Sequence, residues 1–303
     1  MREEIIDSRQ LLAFKTLAQT GSFTQAAKNL NLTQSAVSHS IKALEEDLGC
    51  SLISRLGRKI HLTQAGETFL ASAERMIRQM RSVRSELEGL GKWGAGRLRI
   101  GAGTTACQYI LPTVIREFRQ TFPDCQLSVT PDDAKELVEL LRTNEIDLAL
   151  TLVPGNLEDI EIQSIFTDEL KFAVSPMHPW ARTAIAPSEE IENQNYVIYS
   201  KKSLTFEIVR KHFRSEGNDV SNVIELGSME AIKELAKIGI GVGVLAPWVA
   251  SKEIAEESLY MVGLGRKSLT RDWGVCHLKG RKLTLMEETF IGLCESVCES
   301  LVQ

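Results

Sequence analysis

Ten residues near the N-terminus, TQSAVSHSIK at 33–42, carry side chains of the kind that read nucleic acid. Gln34, Ser35 and Ser38 can hydrogen-bond base edges, His39 can donate to a purine N7, and Lys42 can meet a phosphate. Three basic residues follow at Arg55, Arg58 and Lys59, suited to gripping the flanking backbone. A second polar set lies much further along, at Thr104, Thr105, Thr151, Ser200 and Ser203. Each falls where a strand is expected to end or a helix to begin, and free backbone N–H groups at such points favour anions. Enzyme chemistry finds no comparable footing. There is no GxSxG elbow and no GxxxxGK[ST] phosphate loop, and the five histidines (39, 61, 178, 212, 277) are dispersed. The glycines of GIGVGVLAP at 239–247 follow a helix pattern, so a dinucleotide site is not expected there.

The elements that must position the first set are legible around it. Ser22 with Gln25 three residues on forms a capping-box pattern, and Phe23, Ala26, Ala27 and Leu30 then share one helical face. Thr33 can cap a second helix whose apolar residues Val37, Ile41, Leu44 and Leu48 recur at i, i+4, i+7 and i+11, and Gly49 ends it. Small Ala26 and Ala27 let the two helices approach closely, as in a helix-turn-helix, and Leu11, Phe14 and Leu17 upstream supply a third helix. Gln34, Ser35, Ser38, His39 and Lys42 then share the outward face of the second helix. LGCSLISRLGRKIHLTQAG (48–66) reads as turn, strand, basic tip and return strand, a wing beside that helix. Charge is spread unevenly in the same sense: Lys and Arg exceed Asp and Glu by 13 to 10 through residue 96, whereas residues 97–303 carry 22 against 30. That asymmetry permits a nucleic-acid contact at the N-terminus.

These residues resemble a family. The pattern Phe14, Gly21-Ser22-Phe23-Thr24, Ala26-Ala27, Leu30, Gln34-Ser35-Ala36-Val37-Ser38, Ile41, Leu44-Glu45, Leu48-Gly49, Leu52, Arg55, Leu62-Thr63 and Gly66 is similar to the N-terminal signature of LysR-type transcriptional regulators. It covers about 55 residues; Ile53 stands where the family usually has Phe, and His39 where it often has Arg. The resemblance implies that Gln34, Ser35, Ser38 and His39 read bases and that Arg55 and Arg58 belong to the wing; the helix cap Thr33, with Lys42 and Lys59, completes the expected DNA-binding set. It also implies a sensor of small molecules resembling periplasmic solute-binding proteins, a homodimer or homotetramer on double-stranded DNA, and RNA polymerase as a partner. Thr105 aligns with a position that commonly touches effectors in that family.

After the wing, Phe69, Ala73, Met76, Met80, Val83, Leu87 and Leu90 alternate spacings of four and three, a heptad seam suited to a two-helix coiled coil. The alternative is a helix lying along its own domain, and GKWGAGR (91–97) reads as a hinge detaching it. The resemblance implies that this linker pairs two DNA-binding heads. From residue 97 strand and helix patterns alternate as βαβαβ, then resume with strands near 196–199, 222–226 and 241–245 and helices beginning near Ser203 and Ser228. A final helix is expected over 282–301. Two such α/β units joined by crossings near 164–168 and 265–270 make a clamshell with a cleft between them.

The expected fold class is therefore α+β and multidomain. It comprises a winged helix-turn-helix at 1–64, a linker and dimerisation helix at 65–92, and an effector-binding α/β domain at 93–303. Within the last, one subdomain takes about 97–164 and 270–303 and the other about 168–265. With 43% apolar residues the chain can fill such cores. No apolar stretch reaches the roughly 18 residues of a membrane span, and MREEIIDSRQ lacks the apolar centre of a secretory signal. Six cysteines (50, 107, 125, 276, 294, 298) form no CxxC, so no zinc site or disulfide framework is expected and a reducing cytoplasm is. The expected function is sequence-specific transcriptional regulation under a small, anionic effector, with no metal, no cofactor and no catalysis. Two alternatives remain at this level. Cys107 could make the protein a thiol-redox regulator, or the chain could be a cytosolic α/β binding protein or enzyme whose N-terminus merely dimerises.

Overall fold

The computed structural model of the protein describes residues 6–56, 59–89, 96–153, 155, 157–265 and 267–302, the side chains of 55, 56, 59, 78, 81–89 and 302 excepted. It divides into two compact units, residues 1–91 and 92–303.

In the first unit, α1 (Ser8–Thr20), α2 (Phe23–Leu30) and α3 (Gln34–Leu48) precede the antiparallel strands β1 (Ile53–Leu56) and β2 (Lys59–Leu62) and the long helix α4 (Gln64–Gly89). The caps are those the sequence offers. Ser22 Oγ accepts from Gln25 N and Thr33 Oγ1 from Ala36 N, while Gly49 takes φ +67°, a left-handed turn open to it for want of a Cβ. The capping box is only half formed, because the Gln25 side chain bonds Asn29 Oδ1 instead of returning to Ser22. Phe14, Leu17, Ala26, Val37, Ile41 and Leu44 are fully buried together, and each large apolar side chain among them contributes about 1.5–3 kcal/mol of burial. Glu45 of α3 accepts from Leu52 N and Ile53 N at 2.7 and 3.1 Å, fixing where the wing begins. At Gly66, in the first turn of α4, an added Cβ would stand 2.0 Å from Leu52 O, so only glycine allows this approach.

The first half of the α4 seam packs into its own unit. Ala73 is completely buried within its own unit, Phe69 packs its ring 5.4 Å from that of Phe14, and Met76 lies against the same core. The reason is that α1 exposes Phe14 and Leu17 toward α4 and needs a cover. Ile77, off the heptad seam, joins this core, whereas Met80 stays 48% exposed. The side chains of Val83 and Leu87, and Leu90 altogether, lie outside the described residues.

Among the described residues the second unit strings nine strands in the order β4-β3-β5-β11-β6-β9-β7-β8, with β10 (Tyr260–Gly263) on β6. In one half β3 (Arg97–Ala102), β4 (Gln126–Pro131) and β5 (Leu148–Leu152) run parallel, with α5 (Thr104–Tyr109), α6 (Leu111–Thr121) and α7 (Ala134–Arg142) between them. In the other, β7 (Tyr196–Ile198), β8 (Val223–Glu225) and β9 (Val242–Leu245) run parallel. The helices there are α8 (Pro179–Thr183), α9 (Ser188–Ile191), α10 (Leu204–Ser215), α11 (Met229–Lys237) and α12 (Ser251–Ala255). Two long antiparallel strands, β6 (Ile160–Val174) and β11 (Leu269–Leu278), join the halves, and their register slips between Trp273 and Gly274. The last helix, α13 (Leu285–Val302), packs on α6 in the first half. Every described parallel strand but β8 ends toward one cleft, which is where such sheets present ligand sites.

Candidate functional site

Two places assemble the singled-out residues. On α3 the apolar stripe faces inward and leaves Gln34, Ser35, His39 and Lys42 exposed, with Ser38 half-buried beside them. Thr33, at the cap, has its hydroxyl 3.0 Å from that of Ser35. Gln34 Oε1 lies 3.5 Å from Thr24 Oγ1, a long contact that leaves its amide free to turn outward. Lys42 meets Glu46 one turn on at 3.5 Å, an exposed pair that phosphate can easily displace. Such a face, small and rich in donors on a rigid helix, fits a major groove. Ser54 Oγ bonds His61 O across the wing. The side chains of Arg55 and Lys59, and Arg58 altogether, lie outside the described residues.

In the second unit Thr104, Thr105, Thr151, Ser200 and Ser203 all line one cavity of about 530 Å³ between the two halves. Thr104 Oγ1 stands 3.0 Å from Tyr199 Oη, joining the first half to the second. Ser203 is the N-cap of α10, accepting from Phe206 N at 3.2 Å and donating to Ser200 O at 2.8 Å. Thr151 is only 2% exposed and lines the same cavity. The floor is apolar, with Leu152, Ile198, Phe206, Val209 and Trp273.

Charges also reach the cleft, and sequence reading had placed none there. Asp132, Asp133 and Glu136 line one wall and Lys202 and Arg271 the other. Arg271 is engaged: its Nε and Nη2 donate to the two oxygens of Asp168 at 2.9 and 2.6 Å, and its Nη1 donates to Thr205 at 2.8 Å. Asp168 further accepts from the indoles of Trp248 and Trp273, each at 3.0 Å, so one buried carboxylate takes four N–H bonds beside the slip in the two joining strands. A second clasp crosses on the other side. Tyr109 of α5 donates to Glu230 of α11 at 2.6 Å while Lys233 lies 5.4 Å from its ring centroid. Burial and the Glu230 bond push the Tyr109 hydroxyl up to about 12. Lys233 is itself buried; burial alone would lower its pKa, but Glu230, Tyr109 and Glu253 outweigh it and hold the ammonium above its usual range. It is a structural cation and unfit as a nucleophile.

Cys107 is half-buried, its Sγ 3.6 Å from Ala102 O, and burial raises its pKa. A thiol so placed resists forming the thiolate that redox sensing needs. All six cysteines are unpaired. Among the described residues no helix is long and apolar enough to cross a membrane.

Residues 8–67 match the model of the bacterial regulatory helix-turn-helix protein, lysR family, and residues 94–299 match the LysR substrate binding domain. The chain is 30% identical over 285 residues to the HTH-type transcriptional activator CmpR of Synechocystis, covering 93% of this chain and 92% of that protein. It is also 30% identical over 252 residues to the uncharacterized HTH-type transcriptional regulator YwqM of Bacillus subtilis, covering 82% and 85%. Among solved structures, full-length CbnR complexed with its target DNA superposes with a TM-score of 0.68 at 20% identity, over 96% of this chain and 99% of that one. An exposed polar face on α3, a two-part α/β cleft and both family matches agree: the chain belongs to the LysR family of bacterial helix-turn-helix transcriptional regulators.

Proposed function

We propose that this DNA-binding regulator reads base edges with Gln34, Ser35, Ser38 and His39, and holds backbone with Thr33, Lys42 and the wing residues Arg55, Arg58 and Lys59. The observation that carries the reading is the face of α3, where exposed donors sit directly above a fully buried stripe. The linker α4 pairs two such heads through its C-terminal half, from Met80 onward, so the operator is an inverted repeat with half-sites about one helical turn apart. RNA polymerase is the downstream partner. The second unit binds a small effector in the cleft lined by Thr104, Thr105, Thr151, Ser200 and Ser203. An oxyanion suits the hydroxyls and the helix starts, while the apolar floor suits a short hydrocarbon part. Selection of bound duplexes from a random pool by the full-length protein tests this directly. Recovered sequences should share a two-fold symmetric motif, and the motif should degenerate at one position per half-site in Gln34→Ala. A pool without enrichment would remove the base-reading assignment.

A further inference from the structure

The cleft already contains a carboxylate at the place best suited to hold one. The helix α10 runs for 12 residues, and behind its Ser203 cap the next amide, Leu204 N, donates across the cleft to Asp133 Oδ2 at 3.1 Å. Asp133 belongs to the opposite half, where its Oδ1 accepts from Ala134 N at 2.9 Å as the N-cap of α7. One carboxylate therefore closes the positive ends of two helices on facing walls. Two residues along α7, Lys135 reaches Glu207 of α10 at 2.6 Å, an exposed pair that adds little alone but spans the same gap. Thr151, only 2% exposed, lines the same cavity.

We infer that Asp133 is an intramolecular competitor for the effector: its carboxylate latches the two halves together at the N-terminus of α10, and an effector oxyanion takes its place on the Leu204 amide. This rests on the reading that the effector enters this cleft. Like charges oppose sharing. Asp132 and Glu136 flank Asp133, and of the two cations lining the cavity Arg271 is already bound to Asp168, so a second carboxylate cannot join the first at one helix end without displacing it. Binding is then linked to release of the α7 wall, and the latch lowers the apparent affinity for the effector by the fraction of time the amide is taken. The latch is the switch element: an anion opens the contact that the side chain closes.

The test uses full-length protein, Asp133→Asn and Asp133→Ser. Both replacements can still cap α7, so the fold is kept, while neither presents a carboxylate to Leu204 and serine is too short to reach it. Hydrogen exchange read on peptides spanning 199–207 should quicken in both variants and stay unchanged on peptides from the head; unchanged exchange at Leu204 overturns the latch. Hexanoate and hexanamide, which differ in charge at equal shape, are then titrated against tryptophan fluorescence. Hexanoate should bind roughly three- to thirtyfold tighter to Asp133→Ser than to the native chain, the range expected for an anion gaining a helix N-terminus, with hexanamide unaltered. Equal hexanoate affinity in both proteins overturns the competitor role. Thr151→Val separates the two readings: if it binds hexanoate as the native chain does, the cleft is not the effector site, while the exchange result still decides the latch.

Discussion

The two working surfaces of this chain are assembled over different distances. Every base-facing candidate of α3 lies within ten residues, and local forces set them out: a threonine cap, a left-handed glycine and a stripe of Val37, Ile41 and Leu44. The cleft draws its lining from segments near residues 103, 132, 151, 200, 245 and 271, and its brace joins Asp168 to residues up to 105 positions away. The candidate reading face can therefore change side chain by side chain without disturbing the fold beneath it. In the effector unit the residues that shape the site also carry stability, so specificity and folding cannot be varied separately.

The most damaging way to probe that contrast is Asp168→Ala. It strands the Arg271 guanidinium and two indole N–H groups where water does not replace the lost partner. Breaking a buried pair in this way costs about 3–5 kcal/mol. Calorimetry of the full chain should show the effector unit melting earlier and the head unchanged. A common shift of both transitions would mean that the units are not energetically independent, and the contrast would fail.

What could be read from sequence divides along the same line. The helix-turn-helix is periodic and its caps are contiguous, so Ser22, Thr33 and Gly49 were identifiable; the fate of Gln25 was not, because Asn29 competes for it one turn away. The heptad on α4 showed an apolar seam without showing whose core it fills, and Ala73 fills its own. The cleft hydroxyls were found because parallel topology puts strand ends on one side. Asp133, Asp168 and Arg271 were missed since their partners are far along the chain, and a charge in an alternating strand reads as solvent-facing. The available signal was the run of charged residues interrupting each joining strand: Asp168, Glu169 and Lys171 in FTDELKFAV, and Arg271 and Asp272 in LTRDWGVCHL.

Next in size is Met80→Glu. Met80 is the exposed described position of the seam, and two unpaired carboxylates entering a paired seam should cost about 2–4 kcal/mol of association. Light scattering should report smaller particles, with the melting of the head unchanged. An intact oligomer would assign pairing to another surface.

Gln34→Ala and His39→Ala act on the reading face alone. Each should cost roughly 1–3 kcal/mol at the selected operator and almost nothing on random duplex. Arg58→Ala should instead weaken both and flatten the salt dependence by about one unit of slope. Equal losses on operator and random DNA for Gln34→Ala would move that residue from base reading to backbone contact.

The smallest effect is the sharpest test of how local the head is. Thr33 Oγ1 accepts from Ala36 N at 3.2 Å, and its hydroxyl also stands beside Ser35 on the face proposed to meet DNA. Thr33→Ala removes both functions and should lower head stability by about 1 kcal/mol, within the range of lost N-caps, leaving the effector unit's transition in place. Thr33→Asn keeps a capping oxygen and should restore the melting temperature. If operator affinity returns with it, Thr33 serves only to start the helix at the right residue. If stability returns and affinity does not, the hydroxyl itself touches DNA. Should Thr33→Ala leave the head's melting unaltered, α3 is held in place by its buried stripe alone, and the proposed local control of the reading face by its cap is wrong.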